Sequence, residues 1–140
     1  MDQQNNIQTE PVEIKKEEAK LEEVKAVEAP KIKYEDFKKV EMTIGKILSV
    51  EKIEKSEKLL KLSVDFAEAT GPRQILSGIA KYFPDAQVLV GKKCAFVTNL
   101  EPKPLMGLES NGMIMATGGG EKPFSLFEVP QEIIEGSKIN

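Results

Sequence analysis

Positions 60–66 alternate strictly between apolar and polar residues. Leu60, Leu62, Val64 and Phe66 are each separated from the next by one polar residue. Successive side chains of a β-strand point to opposite faces of a sheet, so a period of two predicts a strand with one buried face. One strand cannot cover that face alone, and the chain must therefore supply further strands to pack with it.

Five other apolar runs of strand length are present, and glycine-containing turns separate several of them. They lie at residues 40–50, 73–79, 93–98, 113–117 and 124–129. Gly45 interrupts the first run, as expected where a barrel strand bends sharply. Residues 79–84 leave room for only a brief helix between the third and fourth strands. This order predicts an all-β, five-stranded barrel with the layout of the oligonucleotide-binding (OB) fold, although the pattern alone fits other small β-barrels equally well.

Residues 1–33 differ in composition from the rest of the chain. They begin with a stretch rich in glutamine and asparagine and continue with a charged stretch between Pro11 and Pro30. Ile14, Leu21 and Val24 have a heptad-like spacing that is not sustained. We predict a charged linker that is largely disordered or partly helical, followed by one domain at residues 34–140. A helix that docks on a partner subunit is the alternative.

The composition excludes several classes of enzyme. The chain has no histidine, which excludes Ser–His and Cys–His catalytic pairs and histidine-ligated metal ions. The apolar neighbours of the single cysteine, Cys94, predict a buried side chain rather than a nucleophile. We therefore predict no catalytic residue, no metal and no other cofactor. Because no apolar run approaches the roughly 18 residues of a membrane span, we expect a soluble cytoplasmic protein without membrane contact.

The net charge of −3 does not by itself indicate a nucleic-acid-binding protein. Residues 1–30 carry a net charge of −4, whereas residues 31–140 carry a net charge of +1. The predicted domain is therefore close to neutral, and a surface that binds nucleic acid would have to come from a local cluster of lysines.

Two segments carry polar residues at the ends of predicted strands. Lys58 and Lys61 lie where a loop enters the alternating strand, and lysines there can meet phosphates as point charges. A charged strand edge that only keeps the protein soluble would have the same sequence. Ser77 closes the third strand just before the predicted helical turn, so its hydroxyl is a candidate cap for that turn.

The long loop between the fourth and fifth predicted strands, at residues 99–113, is the third such segment. In an OB barrel this loop flanks the binding face. Its hydrogen-bonding groups are Asn99, Lys103, Ser110 and Asn111. In the alternative interpretation the loop is a structural crossover, with Met106 and Met113 plugging the end of the barrel.

Six motifs in this chain resemble, in the same order, the C-terminal tRNA-binding domain of methionyl-tRNA synthetases. They are DFKKV at 36–40, IGKI at 44–47, KLLKLSVD at 58–65, SGIA at 77–80, VGKK at 90–93 and the loop at 99–113. The resemblance covers residues 34–140, and the ending at 134–139 resembles the dimer region of the family. Related domains occur as stand-alone dimeric tRNA-binding proteins and as a separate beta subunit of the synthetase.

The resemblance implies a non-catalytic OB-fold homodimer that binds tRNA by its shape and backbone rather than by its anticodon. Such a module would aid the catalytic methionyl-tRNA synthetase subunit, as its beta subunit or its C-terminal domain. The family usually has a lysine directly before Leu-Met-Gly in the loop, whereas here Pro104 takes that place and Lys103 stands one position earlier. The chain lacks the histidine-containing motif of class I synthetases, so it cannot activate an amino acid alone.

These considerations give two sets of predicted site residues. The predicted RNA contacts are Lys46, Lys58, Lys61, Ser77, Lys81, Asn99, Lys103 and Ser110. The predicted dimer interface consists of apolar residues that a small barrel would otherwise leave uncovered. They are Leu126, Phe127, Val129, Ile133 and Ile134.

Two other hypotheses compete with tRNA binding. A related small OB-fold barrel acts as a chaperone for unfolded or exported polypeptides, but the sequence SNGM at 110–113 and the SGI form at 77–79 favour the tRNA-binding branch. A general single-strand binder would stack bases on aromatic side chains. This chain has only 2 tyrosines, 6 phenylalanines and no tryptophan, which makes that the third choice.

Overall fold

The computed structural model of the chain describes residues 28–140. The chain divides into two units, Met1–Tyr34 and Glu35–Asn140. Most of the predicted linker, with its heptad-like positions Ile14, Leu21 and Val24, lies outside the described residues. Within the described part of the chain, no helix is long and apolar enough to cross a membrane.

The regular secondary structure of the second unit is mostly β-strand. One short helix, α1 (Tyr34–Phe37), begins at the junction of the two units. The strands are β1 (Met42–Lys52), β2 (Leu60–Asp65), β3 (Arg73–Ser77), β4 (Lys93–Val97), β5 (Lys103–Leu105), β6 (Leu108–Ser110), β7 (Met113–Ile114), β8 (Ala116–Gly119), β9 (Lys122–Leu126) and β10 (Lys138–Ile139). Two 3-10 helices, Ala80–Tyr82 and Ala86–Leu89, lie between β3 and β4. The predicted strands and the brief helical segment are therefore confirmed.

Three elements differ from the prediction. The loop at 99–113 contains a small hairpin of β5 and β6. The sixth apolar run forms β9, which pairs with β8 in a two-stranded sheet of its own. The last strand, β10, pairs with the start of β1 and has no apolar run to announce it.

The main sheet has the strand order β3-β2-β1-β4-β7, with antiparallel neighbours throughout. Its two outer strands approach each other through the end of the long loop. The Leu76 amide donates to Ser110 Oγ at 3.0 Å, and the Asn111 amide donates to the Gln74 carbonyl at 2.9 Å. The sheet is thereby nearly closed into a barrel, and the predicted OB-like all-β fold is confirmed.

The apolar face of β2 lines the barrel interior, as its alternation predicted. Leu60, Leu62 and Val64 are at most 1% exposed and pack in the core. Gly45 is required by close packing, since a Cβ there would lie 2.5 Å from the side chains of Val64 and Phe66.

Cys94 is fully buried, and desolvation raises the pKa of its thiol to about 12. The prediction of a buried cysteine side chain is confirmed.

Candidate nucleic-acid interface

A shallow polar groove of about 240 Å³ lies on the outer face of β1, β2 and β3. Ser49, Lys61, Ser63 and Gln74 are among the residues that line it. Lys61 Nζ lies 3.1 Å from Glu51 Oε1, and these side chains are 32% and 64% exposed. An exposed pair of this kind contributes about 0–1 kcal/mol, so a phosphate can displace the glutamate at little cost.

A larger cleft of about 650 Å³ lies beside the long loop and is mostly apolar. Leu76, Leu100, Leu105 and Met113 supply apolar surface, and Lys103 lies at the same cleft. Leu100 and Met113 remain about half exposed, at 50% and 49%. The alternative interpretation, in which Met106 and Met113 plug the barrel end, is wrong because both side chains face solvent, Met106 at 51% exposure.

The groove and the cleft are adjacent, because strand pairing places Lys61 directly opposite Leu76. The loop before β2 continues the charged surface. The Ala80 amide donates to the Lys58 carbonyl at 3.0 Å, which places the exposed Lys58 next to the 3-10 helix that carries the exposed Lys81. We call Lys58, Lys61, Lys81 and Lys103 the lysine strip.

Ser56, which was not among the predicted site residues, shapes the loop that presents Lys58. Its hydroxyl oxygen accepts hydrogen bonds from the backbone amides of Lys58 and Leu59, both at 3.2 Å. A serine that binds amides two and three residues ahead is a recognised local turn. The sequence signal for this turn is a serine in the loop before a strand, because its hydroxyl can bind the backbone amides that follow it.

Ser77 does not cap the helical turn, so this prediction is wrong. The first 3-10 helix begins two residues later than the prediction required, with Ile79 in the capping position and no side-chain cap. Ser77 instead ends β3 opposite Leu60 and is half-buried. Contact between its hydroxyl and RNA stays a prediction.

Asn99 and Ser110 attach the long loop to the barrel. Asn99 Oδ1 accepts from the Glu41 amide at 2.8 Å, and its Nδ2 donates to the Lys39 carbonyl at 2.6 Å. Ser110 is only 4% exposed, and its hydroxyl is shared between the Leu76 amide and the Gly112 carbonyl. Both side chains are therefore engaged within the protein, and their contact with RNA stays a prediction.

Lys46 lies apart from the lysine strip. It stands opposite Asp65 and Lys93 in the first half of β1. The other end of β1, at Lys52, is six residues from Lys46, a distance of about 20 Å along a strand. The sequence interpretation required Lys46 to lie on the same rim as Lys58 and Lys81, and the structure does not place it there. Contact between Lys46 and RNA stays a prediction.

The predicted dimer residues fall into two groups. Leu126 is 7% exposed and packs in the core of a single copy, so it does not belong to a surface patch. Phe127, Ile133 and Ile134 are 47%, 36% and 71% exposed, and Val129 is half-buried. These four residues remain candidates for self-association.

Lys93 anchors the segment that carries Ile133, and it is not among the predicted site residues. Its side chain is buried, and Nζ donates to the carbonyl oxygens of Gln131 at 2.8 Å and Ile133 at 2.7 Å. The same nitrogen lies 3.0 Å from Glu135 Oε1. Hydrogen bonds from its own backbone amide and from Lys93 hold the pKa of Glu135 below its ordinary value.

The strand order and the helical segment between β3 and β4 define a small OB-like barrel. A groove and a cleft lie on its surface. Residues 42–138 match the family described as "Putative tRNA binding domain". The chain belongs to this family, and its resemblance to the C-terminal tRNA-binding domain of methionyl-tRNA synthetases is confirmed.

Two of the curated relatives that match this chain are methionine–tRNA ligases. The chain is 40% identical over 132 residues to that of Methanosarcina acetivorans, which covers 94% of this chain and 18% of the ligase. It is 42% identical over 126 residues to that of Caldanaerobacter subterraneus, which covers 90% and 19% respectively. The chain thus spans less than a fifth of the length of these ligases.

Two kinds of solved structure share the fold. A MetRS related protein from Pyrococcus horikoshii is 36% identical with a TM-score of 0.71, covering 79% of this chain and 99% of that one. The CsaA chaperone protein from Picrophilus torridus is 26% identical with a TM-score of 0.68, covering 79% of this chain and 100% of that one.

Proposed function

We propose that this chain is a non-catalytic module that binds folded tRNA through the lysine strip and the adjoining groove and cleft. The observation that carries the proposal is that lysines from separate segments line the groove and the cleft or lie in the turns next to them. Lys58 comes from the loop before β2, Lys61 from β2, Lys81 from a 3-10 helix and Lys103 from the long loop. A domain with a net charge of only +1 at residues 31–140 still presents a local basic surface in this way.

Phosphates are the natural ligands of this strip, because lysine ammonium groups act as point charges without a fixed geometry. Phosphate contacts position a nucleic acid and carry no sequence information. The proposed mode is therefore recognition of the tRNA shape and backbone. Each phosphate neutralised contributes roughly −0.7 to −0.9 to the slope of log affinity against log salt, so the strip predicts a slope of roughly −3 to −4.

The proposed biological role is to raise the tRNA affinity of a methionyl-tRNA synthetase, as a separate beta subunit or as a C-terminal domain. The identity of about 40% to methionine–tRNA ligases supports this role.

We also propose that two copies associate through Phe127, Val129, Ile133 and Ile134. Exposed apolar residues of this kind typically mark a protein interface.

Binding of folded tRNA to the full chain, measured over a range of salt concentrations, tests the proposal. Replacing Lys58 or Lys103 with alanine should weaken all tRNAs alike and shrink the salt slope by about one unit. Lys92→Ala is the matched control, because it removes the same charge from a residue outside the lysine strip, whose ammonium pairs with Glu128. A scrambled linear RNA of equal length that competes as well as folded tRNA would contradict shape recognition.

The second candidate function is the binding of unfolded polypeptide. Two observations favour it: the fold likeness to the Picrophilus torridus chaperone, and the half-exposed Leu100 and Met113 in the cleft. Apolar side chains of an unfolded chain would suit such a cleft. Competition between a permanently unfolded protein and tRNA separates the two functions. Displacement of tRNA by micromolar unfolded protein would favour the chaperone.

A further inference from the structure

Arg73, the first residue of β3, contacts both ends of the long loop. Its Nη1 donates to the carbonyl oxygen of Thr98 at 2.7 Å, where the loop leaves β4. The same nitrogen donates to the carbonyl oxygen of Asn111 at 3.1 Å, where the loop returns toward β7. One guanidinium group therefore bridges the two stems of the segment that carries Lys103.

The other side of the guanidinium is held rigidly. Its Nε donates to Glu68 Oε1 at 2.9 Å and its Nη2 donates to Glu68 Oε2 at 2.6 Å. The group also lies 5.3 Å from the centroid of the Phe66 ring. A bidentate carboxylate fixes the plane of the guanidinium, so the direction of Nη1 toward the two loop carbonyls is fixed as well.

The loop geometry links Arg73 to Lys103. Asn111, which accepts from Arg73, follows Ser110 directly, and Ser110 is the strand partner of Lys103 in the β5–β6 hairpin. A shift of the returning stem would therefore carry Lys103 with it. Lysine at position 73 would keep the positive charge but lose the planar fork that reaches two carbonyls and a carboxylate together.

We propose that Arg73 is a positioning residue for RNA binding, which holds the loop between Thr98 and Asn111 so that Lys103 lies beside the groove and the cleft. The inference rests on the proposed function, because it requires that RNA binds at the lysine strip. It goes further in assigning a role to a residue that is only 24% exposed and need not contact the RNA.

A double-mutant cycle in the full chain tests the inference, because coupling between two positions appears as non-additive loss of affinity. In the wild-type background Lys103→Ala should weaken tRNA binding by about three- to tenfold and reduce the salt slope by about one unit. Arg73→Lys alone should weaken binding by about tenfold. In the Arg73→Lys background Lys103→Ala should then cost less than about twofold and leave the slope unchanged.

Lys58→Ala is the matched control, because Lys58 lies in the loop before β2 and has no hydrogen bond to Arg73 among residues 28–140. Its loss of affinity should be the same in both backgrounds. Equal losses from Lys103→Ala in both backgrounds, with tight wild-type binding, overturn this inference alone. A wild-type chain that binds no tRNA overturns the proposed function and this inference with it.

Circular dichroism at each step checks that the variants are folded. If Arg73→Lys does not fold, Glu68→Gln gives the same comparison, because it removes the charged partner that aims the guanidinium while keeping the side-chain volume. The loss caused by Lys103→Ala should be smaller in that background than in wild type. An unchanged loss overturns the proposal.

Discussion

Replacing Lys93 with methionine should destabilise the barrel, because it removes a buried cation that satisfies three acceptors. Its side chain is 9% exposed, and it donates to the carbonyls of Gln131 and Ile133 and pairs with Glu135. Methionine keeps the apolar stem and much of the volume, so the change isolates the ammonium group. The neighbouring Lys92 is the natural control, since its Nζ pairs at 3.1 Å with Glu128 and both side chains are more exposed than that of Lys93, at 33% and 46%.

The magnitude follows from the fate of the three acceptors. Hydrogen bonds from a charged donor contribute about 1.5–3 kcal/mol each, but water can reach part of this segment once it loosens. Glu135 is 26% exposed, so its share must be discounted for solvent screening. Burial of the methionine side chain offsets about 1 kcal/mol. The expected loss in the free energy of unfolding for Lys93→Met is therefore about 2–3 kcal/mol, against less than about 0.5 kcal/mol for Lys92→Met.

Urea denaturation followed by circular dichroism measures both variants. Sedimentation over a concentration series should also show weaker self-association for Lys93→Met, because the segment with Ile133 is no longer held. If Lys93→Met unfolds at the same urea concentration as Lys92→Met, the carbonyl bonds do not stabilise the fold and the reasoning is wrong. A destabilised variant that self-associates normally would instead show that the interface does not depend on this segment.

Three further predictions concern the barrel itself. Gly45→Ala should cost about 1–3 kcal/mol in urea denaturation, because the added Cβ would lie 2.5 Å from core side chains. The hydrogen bond from Arg73 holds the pKa of Glu68 below its ordinary value of 4.5, so the carboxylate contributes stability above that pH and loses it as the pH falls. The stability difference between wild type and Glu68→Gln should accordingly narrow in acid titrations below about pH 4.5, and a difference that widens there would contradict the assignment. Cys94, with its pKa raised to about 12, should resist iodoacetamide at pH 8 in the folded protein and react after unfolding, which mass spectrometry detects.

The elements that could be predicted were those whose pattern is local. The alternation at 60–66 gave β2 with its buried face, and the short stretch after residue 79 gave the helical segment. The β5–β6 hairpin was missed because each strand is only three residues long and Pro104 lies in one of them. The strand β10 was missed because two residues that pair with β1 carry no periodic signal.

The site residues that were missed bind backbone atoms, which explains why the sequence does not reveal them. The Arg73 and Lys93 side chains each reach two carbonyl oxygens that lie 25 to 40 residues away along the chain. A carbonyl is present at every position, so no residue type marks the partner. Leu126 was misplaced for a related reason, because an apolar residue near the chain end looks the same whether a core or a second copy covers it.

The arrangement of ion pairs explains how a nearly neutral domain can present a basic surface. Several carboxylates are paired with cations that do not belong to the lysine strip. These pairs are Glu41–Lys138, Glu68–Arg73, Glu128–Lys92 and Glu135–Lys93. Within residues 28–140, by contrast, Lys58, Lys81 and Lys103 have no carboxylate within ion-pair distance, and Lys61 has only the exposed Glu51.

Charge summed over a domain is therefore a poor guide to what its surface attracts. At physiological salt the field of an exposed charge is screened over about 8 Å, so a phosphate at the lysine strip responds mainly to nearby charges that are not already paired. A carboxylate that already accepts from a cation adds little to that local field. The quantity that decides phosphate binding is the number of unpaired lysines within one screening length. That number depends on the pairing of side chains in the folded barrel, and composition cannot supply it.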